Sequence, residues 1–139
     1  MNLRAKTASV LGAAAVATAS LVAMPGTAHA AYPKCDGAKN ITTTDGTFRQ
    51  PYYTGTGSRN CVMGSGYESG GVARLQIVLN NCYARNLVVD GVYGPKTIEA
   101  VRYVQQYEGI DVDGAYGPVT RVAMKWQRTT DGYCIRLAV

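Results

Sequence analysis

The chain has 139 residues, with fourteen Lys and Arg against nine Asp and Glu. Its first thirty residues predict a secretory signal: Arg4 and Lys6 precede an alanine-rich apolar run, and residues 28–30 (AHA) have the small-x-small cleavage pattern. Residues 31–139 then suffice for one domain but not two, and removing Arg4 and Lys6 leaves twelve basic against nine acidic residues, about +3. This mild charge, without a basic stripe, argues against a nucleic-acid partner.

Four cysteines follow the predicted signal, which indicates disulfide bonds in an oxidising compartment. Three pairings are possible. We favour Cys35–Cys61 with Cys82–Cys134, because the first would tie down a weak N-terminal segment and the second would join a helix end to the C-terminal segment. The sequence has no C-x-x-C pair, so we expect neither a metal site nor a cofactor.

The single histidine, His29, lies inside the predicted signal. Residues 31–139 therefore lack the imidazole that serves as a general base, activates Ser or Cys nucleophiles and binds catalytic zinc. We expect no catalytic residue and no enzyme activity, and a wall hydrolase is the least favoured hypothesis.

Residues 31–61 predict an irregular N-terminal arm, because they are rich in Thr, Gly, Asn and Tyr without helical periodicity. One or two short strands at residues 47–50 and 52–54 are an alternative, and Pro51 excludes a long central strand.

Residues 62–139 predict a small domain of three short amphipathic helices. The apolar spacing from Val72 predicts a first helix of about ten residues that stops near residues 80–82. A second helix fits residues 95–108, where the spacing places four apolar residues on one face: Ile98, Val101, Val104 and Tyr107. The polar face of that helix carries Lys96, Glu99, Arg102, Tyr103 and Gln106. A third helix is predicted from residue 118 to about residue 128, burying Val119, Val122, Ala123 and Trp126.

An eight-residue pattern occurs twice, as DGVYGPKT at residues 90–97 and DGAYGPVT at residues 113–120. We predict that each copy is a turn leading into a helix: Asp binds turn amides, the first Gly takes a positive φ, and Tyr packs on the bundle. The second Gly is then the N-cap, Pro is the first helical residue, and Thr reaches back as in a capping box. These structural residues are Asp90, Gly91, Gly94, Thr97, Asp113, Gly114, Gly117 and Thr120. The alternative role for Asp90 and Asp113, a carboxylate pair for glycoside hydrolysis, is disfavoured by their identical turn context.

These motifs resemble the peptidoglycan-binding domain family, whose usual pattern runs LQ, DG-x-FG-x-x-T, AV-x-x-FQ, GL and DG-x-x-G-x-x-T. The chain matches it from about residue 62 to residue 128 with Leu75-Gln76, Ala100-Val101, Val104-Gln105, Gly109-Ile110 and both copies of the repeat. Val104 stands where the family prefers Phe. The resemblance implies an all-α fold, a small three-helix bundle, here preceded by the disulfide-tied arm.

The same resemblance implies a secreted, non-catalytic protein that binds peptidoglycan or an associated cell-wall polymer. We expect it to be extracellular or associated with the cell wall, a monomer, and free of membrane attachment once the signal is removed. The alternative is an extracellular protein-interaction module or inhibitor on the same fold, which the disulfide-tied arm motivates.

Candidate ligand-binding residues lie on the polar face of the second helix. Arg102, Tyr103 and Gln106 form a mixed aromatic and polar surface of the kind that sugars and short peptides contact, although an ordinary solvated helix face would look the same. Tyr93 and Tyr116 are predicted to be mainly structural, with phenol groups that could reach a ligand. The recurring Gln76, Gln105 and Gln127 are predicted to satisfy backbone groups within the bundle.

Overall fold

The computed structural model describes residues 32–138, so the predicted signal at residues 1–30 lies outside the described residues. The elements in chain order are β1 (Gly37–Thr43), β2 (Gly46–Tyr52), α1 (Gly70–Tyr83), α2 (Pro95–Glu108), α3 (Pro118–Ala123), β3 (Lys125–Gln127) and β4 (Cys134–Arg136). The three predicted helices are present, but two small antiparallel sheets accompany them. The all-α class is therefore correct only in part. Among residues 32–138, no helix has the length and apolarity that crossing a membrane requires.

Much of the N-terminal segment is a regular β-hairpin, so the prediction of an irregular arm was wrong there, and the alternative of a short strand is confirmed for residues 47–50, which lie within β2. β1 pairs with β2 in antiparallel register. Phe48 and Gln50 are fully buried while Arg49 between them is exposed, which is the period-two pattern of a strand with one face on a core. Pro51 lies within β2 opposite Ala38, and it is tolerated because both strands of a two-stranded sheet are edge strands.

Both predicted disulfide bonds are confirmed. Cys35–Cys61 joins the segment before β1 to the loop after β2, and Cys82–Cys134 joins α1 to β4. The N-terminal end of the described chain is thus bound covalently to the loop before α1, and the C-terminal end is bound to α1 itself.

The first two helices follow local signals closely. α1 is longer than predicted because Ser69, whose hydroxyl accepts the Val72 N–H at 3.2 Å, caps it three residues before the apolar pattern starts. The bounds of α2 are confirmed as predicted, between the N-cap Gly94 and the C-cap Gly109. Tyr107 was wrongly placed on its buried face: it is 59% exposed.

The third helix was predicted too long. α3 ends at residue 123, and Trp126 lies on β3, opposite Ile135 of β4. Met124 and Trp126 are fully buried while Lys125 and Gln127 are partly exposed, so the chain here alternates with period two. Val119, predicted to be buried, is 63% exposed. Trp126 pairs with a residue nine positions further along the chain, and this pairing overrides the helical spacing, which a local pattern does not report.

The core lies where the hairpin, α1, α2 and β3 meet. Its largest fully buried side chains include four aromatic residues, two methionines and two leucines: Trp126, Tyr93, Tyr116, Phe48, Met63, Met124, Leu75 and Leu79. Tyr116 and Trp126 pack edge to face with their ring centroids 6.4 Å apart. This core fixes both copies of the repeat, since each contributes its Tyr to it.

Candidate binding groove beside helix α2

Each copy of the repeat is held by a buried glutamine from the preceding helix. The Gln76 side-chain oxygen accepts the Asp90 and Gly91 N–H groups at 3.1 and 2.9 Å, and its Nε2 donates to the Val92 carbonyl at 3.0 Å. Gln105 repeats this arrangement with the second copy, accepting from Asp113 and Gly114 and donating to Ala115, as shown by contacts of 3.1, 2.8 and 2.9 Å. The predicted role is confirmed for these two glutamines.

Gln127 does not share that role. It lies on β3, where its side-chain oxygen accepts a hydrogen bond from Asn81 at 2.8 Å on the exposed side of the sheet. The prediction for Gln127 was wrong because the third helix ends before it.

The predicted turn chemistry is confirmed. Gly91 and Gly114 have φ values of 74° and 76°, in the left-handed region that favours glycine. Asp90 and Asp113 each accept the N–H two residues ahead at 2.9 Å. For Asp90, the Val92 N–H and then the Gln76 amide hold the pKa of the carboxyl below its ordinary value.

The helix starts are confirmed in part. Gly94 and Gly117 are the N-caps of α2 and α3, each followed by proline. The capping-box role of Thr97 and Thr120 was wrong, because neither helix has a side-chain cap hydrogen bond. Both hydroxyls instead accept a hydrogen bond from a glutamine, Thr97 from Gln76 and Thr120 from Gln105, each at 3.1 Å.

Tyr93 and Tyr116 are both fully buried, so the expectation that their phenol groups could reach a ligand was wrong. The Tyr93 hydroxyl donates to the Gly114 carbonyl at 2.8 Å. Burial is the main cause that raises the pKa of both phenols. Both rings therefore fill the core, and Tyr93 also links the two copies of the repeat.

An open groove of about 280 Å³ lies between the loop after α1 and the exposed side of α2. We call it the α2 groove, and its lining is Arg85, Asn86, Leu87, Lys96, Glu99, Ala100 and Tyr103. The Arg85 guanidinium lies 3.6 Å from the centroid of the Tyr103 ring, and Tyr107 stacks against Tyr103 at 6.1 Å. The groove therefore brings together cationic, anionic and aromatic side chains with the apolar side chains of Leu87 and Ala100.

The α2 groove includes part of the predicted binding surface. Tyr103 lies in its lining and is 39% exposed. Arg102 and Gln106 are exposed too, but they are not part of that lining. The Arg102 side chain lies close to the Gly114 turn, where a Cβ at Gly114 would be 3.0 Å from its Nε.

Sequence reasoning missed the contribution of Arg85. It follows Ala84, the left-handed C-cap of α1, and precedes Asn86, which also has a positive φ of 55°. These two conformations return the chain toward α2 and place Arg85 on Tyr103. No periodic pattern links the two positions, and an Asn just after a helix was the only local signal of a left-handed turn.

The second copy of the repeat has a hollow at the corresponding place, with a different chemistry. Twenty-three residues after the lining of the α2 groove, Leu87, Lys96 and Glu99 are replaced by Ile110, Val119 and Val122. The second hollow is lined by these residues with Pro118 and Ala123, so it is apolar. Only the first of these two hollows offers charged groups to a polar polymer.

Residues 68–124 match the family model described as "Putative peptidoglycan binding domain". The chain therefore contains a segment that is similar to this family. The peptidoglycan-binding domain segment spans α1, α2 and α3 with both copies of the repeat and the whole α2 groove. The hairpin, β3 and β4 lie outside it.

A solved structure, a peptidoglycan-binding protein from Clostridioides difficile in complex with glutamine hydroxamate, is similar to this chain at 23% identity with a TM-score of 0.46. The similarity covers 60% of this chain and 53% of that chain, so this chain spans about half of that protein's length. No curated protein matches the chain significantly.

Proposed function

We propose that this protein is secreted and binds peptidoglycan or an associated cell-wall polymer as a monomer, without catalysis, through the α2 groove. The observation that carries the proposal is the peptidoglycan-binding domain match at residues 68–124, which contains the complete groove. The two disulfide bonds support export to an oxidising compartment.

The α2 groove suits a polymer that has both sugar hydroxyls and peptide carboxylates. Arg85 is stacked flat on Tyr103, and its Nε donates to the Tyr83 carbonyl at 2.7 Å. Among residues 32–138, no acceptor binds its Nη groups, so these donors can bind a carboxylate or hydroxyl of the polymer. Lys96 supplies a second cation, and the exposed part of Tyr103 supplies apolar surface for a sugar ring.

The state of one nearby carboxylate, Asp90, supports binding without catalysis. Glycoside hydrolysis needs two carboxyl groups, one with a raised pKa that donates a proton. Asp90 lines the hollow that adjoins the α2 groove at Lys96 and Leu87. Its oxygens are held by Val92 and Gln76, and its pKa is lowered rather than raised. Asp90 is therefore suited to holding a turn and unsuited to donating a proton.

The experiment is co-sedimentation of the purified protein with insoluble peptidoglycan. We expect the protein in the pellet at low and moderate salt, and no release of reducing ends or free amines from the wall material. Protein that stays in the supernatant would contradict binding, and released sugars or amines would contradict the non-catalytic role. Amino-terminal sequencing of protein collected from culture medium, with Ala31 as the expected first residue, tests secretion.

A second candidate function, a protein-interaction module, is favoured by one observation. The hollow of the second repeat is apolar, and Val119 on its rim is 63% exposed. If the protein fails to sediment with peptidoglycan yet Val119→Ser abolishes capture of a protein partner from culture fluid, this function replaces the first.

A further inference from the structure

A separate cavity of about 170 Å³ lies between the hairpin, α3 and the C-terminal segment. Its lining combines the polar residues Thr43, Gln50, Arg59 and Arg121 with the apolar residues Val122, Leu137 and Ala138. Gln50 and Arg59 lie outside residues 68–124, so this cavity depends on a part of the chain that the family match does not include.

Gln50 is a fully buried side chain with an unused donor. Its Oε1 accepts a hydrogen bond from Arg59 Nη1 at 3.0 Å. Its Nε2 is buried, and no acceptor among the described residues lies within hydrogen-bond distance. Since buried amide donors in native proteins nearly always have an acceptor, the cavity that Gln50 lines is the natural place for one.

Two arginines reach the same cavity, and no described residue supplies a counter-charge to them. Arg121 Nη2 donates to the neutral amide oxygen of Asn60 at 3.1 Å, and its buried Nε has no acceptor within residues 32–138. Neither Arg59 nor Arg121 forms an ion pair with a described residue. Arg59 and Arg121 line the same cavity. Burial is the main cause that lowers the pKa of the Arg121 guanidinium, and the positive charge of Arg59 lowers it further.

Like charges in a partly buried site destabilise each other unless an anion lies between them. A guanidinium presents parallel N–H groups that match the two oxygens of a carboxylate, and the Gln50 amide adds a further donor. The lining also includes apolar side chains, so an anion that carries a small apolar group would find contacts for both of its parts. The volume is well below that of the α2 groove, which indicates a small ligand rather than a saccharide chain.

We propose that this cavity binds the carboxylate of a small organic acid or peptide end whose adjacent side chain is small and apolar, with Arg59, Arg121 and Gln50 holding the carboxylate and Val122 and Leu137 contacting the side chain. The site is distinct from the α2 groove and does not rest on wall binding. It would give the protein a second, small-molecule ligand.

The test uses N-acetylalanine as the probe and measures binding to the purified protein by isothermal titration calorimetry and by the thermal midpoint. We expect a Kd on the order of 1 mM for a ligand of this size, and a midpoint that rises with its concentration. N-acetylalaninamide, which has the same shape without the charge, is expected not to bind. Equal binding of the amide, or no binding of N-acetylalanine at 20-fold above about 1 mM, would overturn the proposal.

Matched variants locate the binding. Arg59→Met is expected to raise the Kd at least about tenfold, because it removes a guanidinium that holds the carboxylate. Arg49→Met removes one exposed charge from the same hairpin outside the cavity and is expected to bind as the parent does. Equal losses in both variants would show nonspecific charge attraction and contradict the site. If Arg59→Met does not fold, Arg59→Lys, which keeps the charge but loses the bidentate geometry, is expected to weaken binding instead.

Inorganic phosphate is the competing ligand. Displacement of N-acetylalanine by phosphate only at much higher concentration supports a carboxylate site. Binding of phosphate alone, without N-acetylalanine, would overturn the assignment of the ligand class.

Discussion

The Tyr93 hydroxyl donates to the Gly114 carbonyl at 2.8 Å, so the first copy of the repeat is bonded directly to the turn of the second. Gln76 and Gln105 hold those turns from α1 and α2. Each helix therefore positions the turn that begins the next helix. These contacts also position Lys96 and Glu99 of the α2 groove, because both residues lie near the start of the helix that this repeat begins.

Removing the Gln76 amide should strongly destabilise the fold. Gln76→Leu leaves the Asp90 and Gly91 N–H groups and the Val92 carbonyl without their partner, and each buried unpaired group costs about 1–3 kcal/mol. We expect the free energy of unfolding to fall by at least about 3 kcal/mol in denaturant titrations. Gln127→Leu, which removes one exposed hydrogen bond, is the control and should cost under about 1 kcal/mol. Similar losses in the two variants would show that Gln76 does not hold the turn.

A side chain at the glycine of the second turn should destabilise the fold. Gly114 has φ of 76°, and a Cβ there would lie 2.8 Å from the Ile98 methyl group. Gly114→Ala should therefore reduce stability by about 1–3 kcal/mol. Gly94→Ala is the matched control, because φ there is −89° and no atom lies within 4 Å of an added Cβ. A thermal midpoint for Gly114→Ala equal to that of Gly94→Ala would be evidence against the conformation of the turn.

Stability should fall in acid partly through Asp90. Its pKa in the folded protein is lowered by the Val92 N–H and by Gln76, so the carboxylate contributes stability that is present above the ordinary value of 3.8. That contribution is lost as the pH falls through the lowered folded value. Asp90→Asn keeps an oxygen acceptor but not the charge, so its unfolding free energy should decline less between pH 5 and pH 2.5 than that of the parent. Parallel declines in the two proteins would contradict this role of Asp90.

The surface predicted from sequence and the groove seen in the structure differ, which allows a direct comparison. Arg102 and Gln106 are exposed on α2 but lie outside the groove lining. Arg102→Ala with Gln106→Ala should therefore change the affinity for peptidoglycan by less than about threefold, measured in sedimentation isotherms. A loss of tenfold or more would move the binding surface from the groove to the neighbouring part of the exposed face of α2.

Local chemistry explains what was predictable from sequence. The bounds of α2 follow from Gly94-Pro95 before it and Gly109 after it, signals that act within a few residues. The end of α3 was missed because Trp126 fits helical spacing from Val122 as well as strand alternation from Met124. Pairing with Ile135, which the Cys82–Cys134 bond helps to hold, decides between them.

The site was predictable only in part for a similar reason. Tyr103 could be placed on an exposed helix face from periodicity alone. Its contact with Arg85 depends on how the chain turns after α1, and the buried positions of Tyr93 and Tyr116 depend on packing between the two turns. Such relationships between distant residues have no period in the sequence.

The most direct measurement compares wall affinity between two matched double variants. Arg85→Ala with Tyr103→Ala removes a stacked cation and aromatic from the α2 groove, and Arg49→Ala with Tyr133→Ala removes the same residue types from exposed positions outside it. In sedimentation isotherms with insoluble peptidoglycan, we expect the first variant to lose at least about tenfold in affinity and the second to stay within about twofold of the parent. Full retention of affinity by the first variant, or an equal loss in both, would contradict binding through the α2 groove.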